Sequence, residues 1–178
     1  MAILEILHYP DNRLRQKGED VEIFDESLRI IVKDMLETMY QEKGIGLAAI
    51  QVNIIKNIIV IDVSEKRNEP LILINPVITK KENKIKFEEG CLYVPGFYEK
   101  VDRYELIEYE AQDKEGQKYS GKAEGLLAVC IQHELDHLNG KLFVDYLSLT
   151  KRENIEKKIQ KMEAQGIKAE RKNIPYSI

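Results

Sequence analysis

The sequence has few of the features that mark secreted or membrane proteins. It holds only two cysteines in 178 residues, so a structural disulfide is a poor expectation, and its N-terminal stretch lacks the long apolar core of a signal peptide. No apolar run approaches the roughly 18 residues of a membrane span, and the longest, Leu126 to Ile131, has six. We therefore expect a soluble, cytoplasmic protein without a membrane partner.

An excess of positive charge is also missing. The chain carries 31 acidic and 27 basic residues, a formal net charge of −4, so it has no broad positive field with which to hold DNA or RNA. Internal repeats and low-complexity linkers are absent too. A chain of this length can bury one continuous core. We expect a single domain over residues 1–178, with a mobile tail from about residue 166.

Apolar periodicity predicts two well-defined helices. Residues 27–42 place apolar side chains at helical spacing, with Asp25 or Ser27 available as the N-cap. From about residue 124 to residue 139 apolar side chains occupy nearly every face, which is typical of a helix buried in the centre of a fold. Gly140 is expected to end this central helix.

A third helix is expected near the C-terminus. Thr150 and Glu153 match a capping box, and Ile155, Ile159 and Met162 form a thin apolar stripe on a highly charged segment. Such a helix is expected to lie on the surface.

Several short apolar segments predict strands between the first two helices. The candidate strands are residues 47–52, 58–63, 71–78 and 85–87. A loosely alternating pattern over 101–111, turn chemistry at 113–116 and a short partner at 118–120 predict a hairpin. The fold class is therefore α+β, with short, mostly antiparallel strands around the central helix.

The clearest chemical signal is an H-E-x-x-H sequence at residues 133–137, inside the central helix. Four residues advance a helix by about 400° and 6 Å, so His133 and His137 emerge on one face and can bind one ion. Glu134 lies beside them and can take a proton from metal-bound water. The alternative is a chance match on a surface helix. The apolar faces of this helix favour burial instead, where ionisable groups need partners.

Two histidines are too few ligands, and the two cysteines are candidates for the third. Cys130 shares the face of His133, but helical side chains lean toward the N-terminus, which carries its sulfur away from the ion. We therefore expect Cys130 to be a buried apolar residue beside the site. Cys91 follows Gly90 in a predicted loop, and on spacing alone ligation and simple burial are equally good interpretations. A Cys/His/His set would leave a fourth position open for water, which is typical of catalytic sites.

Three separated segments resemble the peptide deformylase family. They are Gly44-Ile45-Gly46-Leu47-Ala48-Ala49-Ile50-Gln51, Glu89-Gly90-Cys91-Leu92 and Gln132-His133-Glu134-Leu135-Asp136-His137. Their order and spacing match the family, and the Tyr9-Pro10-Asp11 start and the final helix are similar too, so the resemblance covers almost the whole chain. It implies a metal-dependent hydrolase that removes the formyl group from the N-terminal formyl-methionine of new polypeptides and releases formate.

The resemblance also implies the roles of individual residues. The metal ligands would be Cys91, His133 and His137, holding one ferrous ion (Fe2+) that zinc or nickel can replace. Glu134 would be the general base, with metal-bound hydroxide as the nucleophile. The Gln51 side-chain amide and the Leu92 backbone N–H would donate to the oxyanion that forms at the formyl carbon, and Glu89 would pair with Arg103.

The family's substrate pocket maps onto an apolar set in this chain. It would comprise Ile45, Gly46, Phe87, Gly90, Leu126, Val129 and Cys130, which suits the flexible thioether of methionine. Most of these residues would belong to the core in any fold. The implied partners are nascent formyl-methionyl peptides at the ribosome exit, with the protein acting as a monomer.

Two positions depart from the family pattern, and two other functions compete. Tyr93 stands where the family usually has serine, and Tyr98 where an arginine is often found. Neither replaces a ligand, the base or an oxyanion donor, so we expect altered substrate range or turnover, as in a specialised second copy. An ordinary metallopeptidase also uses H-E-x-x-H but generally takes a third His or Glu ligand. A non-catalytic binding module would need neither Glu134 nor Gln51.

Overall fold

The computed structural model describes residues 2–90 and 98–166, and over these residues it confirms the α+β class. Five strands form one antiparallel sheet in sequence order: β1 (Gly46–Ala48), β2 (Ile58–Ile61), β3 (Leu71–Gly90), β4 (Tyr98–Gln112) and β5 (Lys118–Glu124). The α-helices in these ranges are α1 (Glu26–Gln41), α2 (Gly125–Leu138) and α3 (Leu149–Ala164). Short 3-10 helices cover Asn12–Arg15, Ala49–Val52 and Phe143–Tyr146. No helix in the described ranges is long and apolar enough to cross a membrane.

The short strand β2 shows how the layers are built. All four of its side chains are buried, which is typical of a strand that is covered on both faces. Ile58 and Val60 pack on the side of α1, and Ile59 and Ile61 pack on the side of α2. The apolar helix α2 therefore lies against the sheet, as its sequence predicted.

Three of the strand predictions need correction. The segment 47–52 is not one strand, because β1 ends at Ala48 and a 3-10 helix follows. The side chain of Gln51 turns back and its Oε1 accepts the Ala48 N–H at 2.8 Å, which stabilises this turn. Residues 71–78 and 85–87 belong to the single twenty-residue strand β3. Its polar middle is paired with β4 but exposed, so it carries no apolar signal, and the expectation of uniformly short strands is wrong.

The hairpin and most helix boundaries follow the sequence signals. The Gly116 N–H donates to the Asp113 carbonyl at 3.0 Å in the turn between β4 and β5. Asp25 caps α1 by accepting the Leu28 N–H at 3.1 Å, and Gly140 follows α2 with a φ of 71°. The expected ends of these elements are confirmed.

The predicted cap of the last helix is wrong by two residues. Ser148, not Thr150, is the N-cap of α3, and its Oγ accepts the Lys151 N–H at 3.3 Å. Ile155 and Ile159 are buried, as the thin stripe predicted, and they pack against the N-terminal segment and β4. The expected mobile tail lies outside the described residues apart from residue 166.

Candidate active site

Helix α2 brings its two motif histidines together in a buried position. The Nε2 atoms of His133 and His137 are 3.2 Å apart, and the ring centroids are 4.9 Å apart. Two nitrogen ligands of one tetrahedral zinc-like ion, each about 2.05 Å from it, lie about 3.3 Å apart. The two nitrogens therefore have the separation that one shared ion requires.

A buried carboxylate orients the first of these rings. The Nδ1 atom of His133 lies 3.4 Å from Oε2 of Glu89. Burial alone would lower the pKa of His133, but Glu89 outweighs it and raises that pKa. Burial and the neighbouring His133 lower the pKa of His137 far below its usual value. In the neutral tautomer that directs Nδ1–H at Glu89, His133 would present the Nε2 lone pair to an ion, and neutral His137 is in the form that ligates.

Glu89 is held in turn by Arg103, which confirms the predicted pair and shows that it is buried. Arg103 donates through Nε to Oε1 at 2.8 Å and through Nη2 to Oε2 at 3.1 Å. Its Nη1 donates to Asp136 at 2.7 Å, and the hydroxyl of Tyr146 donates to the same oxygen at 2.6 Å. Burial would raise the pKa of Glu89, but His133 and Arg103 outweigh it and lower that pKa to about 2. The carboxylate is therefore charged.

Glu134 is fully buried beside the histidines, and its carboxylate is unsatisfied. Within the described residues neither oxygen has a hydrogen-bond partner, and the same is true of Nδ1 of His137. Burial raises the pKa of Glu134 to about 7, although the neighbouring His133 opposes the shift. Buried polar atoms without partners are rare in folded proteins and need an explanation, such as a bound ion or water molecule. The donor set therefore fits a cation with its solvent at this position.

Strand β1 forms the wall over this carboxylate. A Cβ atom added to Gly46 would lie 2.7 Å from Oε1 of Glu134 and 2.8 Å from Sγ of Cys130. Only glycine lets the backbone pass so close. The Gln51 side chain is fixed to the same strand, because its Oε1 accepts the Ala48 N–H. Among the described residues, this hydrogen bond leaves the Nε2 amino group as the free end of the amide.

Cys130 is a buried apolar residue, as expected. Its Sγ lies 4.0 Å from the Ile45 carbonyl, and burial raises the pKa of the thiol well above its usual value. Among the other predicted pocket residues, Ile45 and Val129 share its core cluster, with Phe87 and Leu126 packed against it. Gly90 ends β3 opposite Tyr98.

The structure does not test the predictions made for Cys91, Leu92 and Tyr93. Cys91, Leu92 and Tyr93 lie outside the described residues. Within the described part of the chain, no three His, Cys, Asp or Glu side chains form a group that could hold a metal ion. The third ligand and the second oxyanion donor therefore stay predictions.

Two residues that support the site were missed by the sequence reasoning. Gln132 fixes α2 to β4, because its Oε1 accepts the Tyr104 N–H at 2.9 Å and its Nε2 donates to the Tyr104 carbonyl at 2.7 Å. A buried amide on an apolar helix is the signal that could have identified it. Tyr146 stacks against Arg103 and donates to Asp136, and no local pattern indicates that contact.

A buried helix with paired histidines and an adjacent carboxylate places this chain in the broad class of H-E-x-x-H hydrolases. Comparison with known proteins gives the particular family. Residues 3–153 match the family model described as polypeptide deformylase. The chain is 58% identical over 161 residues to the peptide deformylase of Pseudoalteromonas translucida, covering 90% of this chain and 96% of that one. It is 54% identical over 166 residues to that of Pseudomonas aeruginosa, covering 93% and 99%.

Solved structures agree with the sequence comparisons. A peptide deformylase from Legionella pneumophila superposes with a TM-score of 0.86 at 45% identity, covering 93% of this chain and 98% of that one. One from Ehrlichia chaffeensis in complex with actinonin gives 0.83 at 41% identity, with the same coverage. The chain therefore belongs to the peptide deformylase family and is an enzyme. Members of this family remove the N-formyl group from nascent formyl-methionyl peptides, and they are in general metal-dependent.

Proposed function

We propose that this chain hydrolyses the formamide bond of N-terminal formyl-methionine with one ferrous ion held by His133, His137 and Cys91. The observation that supports this best is the 3.2 Å separation of the two Nε2 atoms beside the Glu134 carboxylate, which has no hydrogen-bond partner among the described residues. Zinc or nickel would fit the same donors. A divalent cation supplies Lewis acidity there, since it lowers the pKa of a water molecule and polarises a carbonyl group.

The chain's own residues supply the proton transfers. Glu134 takes a proton from the attacking water, whose oxygen bonds to the formyl carbon. The carbon–nitrogen bond then breaks, and Glu134 delivers the proton to the leaving amine, so that formate and a free N-terminus result. Its pKa of about 7 suits both directions of transfer near neutral pH. The Gln51 amide and the Leu92 backbone N–H would donate to the developing oxyanion.

The substrate would enter with its methionine side chain in the apolar pocket. That pocket is assigned to Ile45, Gly46, Phe87, Gly90, Leu126, Val129 and Cys130. The neutral, buried Cys130 thiol supports this assignment, because a thiolate would be a poor neighbour for a thioether. Nascent peptides at the ribosome exit, a monomeric state and a cytoplasmic location complete the proposal.

The test is formate release from formyl-Met-Ala-Ser by protein purified without oxygen, with the metal measured on the same sample. We expect formate and intact Met-Ala-Ser in equal amounts. The iron form should also lose activity in air faster than the nickel form, because a ferrous thiolate site is open to oxidation. Cleavage of the Met-Ala bond, or no formate from fully loaded protein, would overturn the proposal, and equal decay rates would remove iron as the explanation.

A further inference from the structure

Arg67 lies in the connection between β2 and β3 and reaches back to two backbone carbonyls. Its Nη1 donates to the carbonyl of Asp62 at 2.5 Å, and its Nη2 donates to the carbonyl of Gly44. The residue has a φ of 55°, a left-handed conformation that is uncommon for arginine. A backbone in this conformation is held there by the contacts around it.

The loop that carries Arg67 is itself anchored on a buried carboxylate. Asp62 is fully buried, and it accepts the hydroxyl of Tyr40 at 2.6 Å, both the N–H and the hydroxyl of Ser64, and the N–H of Glu69. The Arg67 guanidinium lies 6.0 Å from the centre of the Tyr40 ring. The hydrogen bonds to Asp62 therefore hold the loop in place, and the loop positions Arg67 next to the Gly44 carbonyl.

The carbonyl that Arg67 binds belongs to the wall of the active site. Gly44 precedes Ile45, whose carbonyl accepts the Asp62 N–H at 2.8 Å. The next residue, Gly46, is the one whose added Cβ would meet Glu134 at 2.7 Å. Arg67 and Asp62 thus hold consecutive carbonyls on the chain leading into β1.

We propose that Arg67 is a positioning residue for deformylation, which fixes the chain leading into β1, where Ile45 and Gly46 belong to the proposed substrate pocket. The kinetic part of this inference rests on the proposed function. The structural part does not, because it concerns only the link between Arg67, Gly44 and Asp62. A lone ammonium could bind one of the two carbonyls but not span both, so lysine is not equivalent here.

The test compares Arg67→Met with Arg29→Met, in which an exposed arginine on α1 loses the same charge. We expect Arg67→Met to speed hydrogen exchange of the Asp62 amide and of the β1 amides about tenfold or more, since a charge-assisted hydrogen bond is lost. Exchange in the ladder between β4 and β5 should not change. The KM for a formyl-methionyl peptide should rise about tenfold, while kcat falls less than about threefold, because the metal-bearing helix is held by other contacts.

Metal content should be the same in both variants and in the unmodified protein. Arg67→Lys is expected to be intermediate in both exchange and KM, and it serves as the test variant if Arg67→Met exchanges rapidly throughout. If the exchange rate of the Asp62 amide does not change, Arg67 does not hold this segment in place. If exchange is faster but KM is unchanged, Arg67 has no role in the reaction. If even the unmodified protein releases no formate, the proposed function fails, while the exchange result still tests whether Arg67 holds the Gly44 and Asp62 backbone in place.

Discussion

Arg103 and Glu89 form a two-pronged ion pair whose side chains are only 4% and 1% exposed, and Glu89 also contacts His133, one of the proposed metal ligands. Glu89 contacts Nδ1 of His133 and Arg103 holds Glu89, so the pair sets the direction of the ring. Its members come from the two long strands β3 and β4, which bring Glu89 beside α2. A carboxylate behind a ligating histidine fixes the ring and makes it a better ligand.

The first prediction concerns this pair. Arg103→Met should lower the free energy of unfolding by about 3–5 kcal/mol, because it leaves the Glu89 charge buried and only partly compensated. Metal affinity should fall about 10- to 100-fold as the His133 ring loses its fixed partner. Denaturant unfolding of the metal-free protein and a competitive metal titration measure the two effects separately.

Two further variants control for charge loss. Lys84→Met breaks an exposed pair with Asp102 and should leave the unfolding midpoint unchanged. Glu89→Gln combined with Arg103→Met should cost less than the sum of the single changes, since no unpaired Glu89 charge remains. If Arg103→Met is as mild as Lys84→Met, the pair does not carry the stability assigned to it.

The second prediction tests Glu134 as the base. Glu134→Gln should keep its metal but lose roughly 10² to 10⁴ in turnover, because the amide cannot accept the proton from water. Glu88→Gln, an exposed carboxylate on β3, is the matched control and should be fully active. Metal analysis is run beside formate release. A parallel loss of metal and activity would show that Glu134 is a ligand and that the mechanism is wrong.

Sequence alone was sufficient where the signal is local. The spacing of His133, Glu134 and His137 predicts one face of one helix, and the apolar residues around them predict its burial, and both are observed. The hairpin was likewise visible from alternation and turn residues. These features depend on neighbours within a few positions along the chain, which is the range over which periodicity carries information.

The remaining features depend on tertiary contacts. The middle of β3 is polar and exposed, so only its pairing with β4 makes it a strand. Arg67 and Tyr146 stand in a loop and a 3-10 helix, and their partners lie 23 and 10 residues away in sequence, in Gly44 and Asp136. No periodic pattern marks such contacts, and a charged loop residue ordinarily indicates only solvent exposure.

The third prediction separates the two cysteines. Cys91→Ala should lower metal affinity greatly, because it removes the predicted thiolate ligand. Cys130→Ala should leave the metal bound and affect packing, since burial keeps that thiol protonated and its Sγ faces the Ile45 carbonyl. Competitive metal titration of both variants is the measurement. Equal metal loss in the two would show that the sulfur of Cys130 also reaches the ion.

The fourth prediction concerns the close contact between β1 and α2. Gly46→Ala places a methyl group where Oε1 of Glu134 and Sγ of Cys130 now lie, at 2.7 and 2.8 Å. Neither atom can stay in place, so the carboxylate must shift. A displacement near 1 Å in a catalytic group can cost about 10² in rate, and we expect kcat to fall by about that factor. Stability should fall by about 1–3 kcal/mol from overpacking.

A second substitution tells which contact dominates. Gly46→Ala combined with Cys130→Ala removes the sulfur, so the new methyl group can move toward the vacated space and Glu134 can return part of the way. We expect this double variant to recover kcat at least partly, a non-additive result for two neighbouring changes. Gly166→Ala adds a methyl group with no atom within 4 Å, and although its φ of 67° costs some stability, it should leave kcat unchanged. If Gly46→Ala loses stability but keeps its full kcat, the β1 wall packs against Glu134 without positioning it.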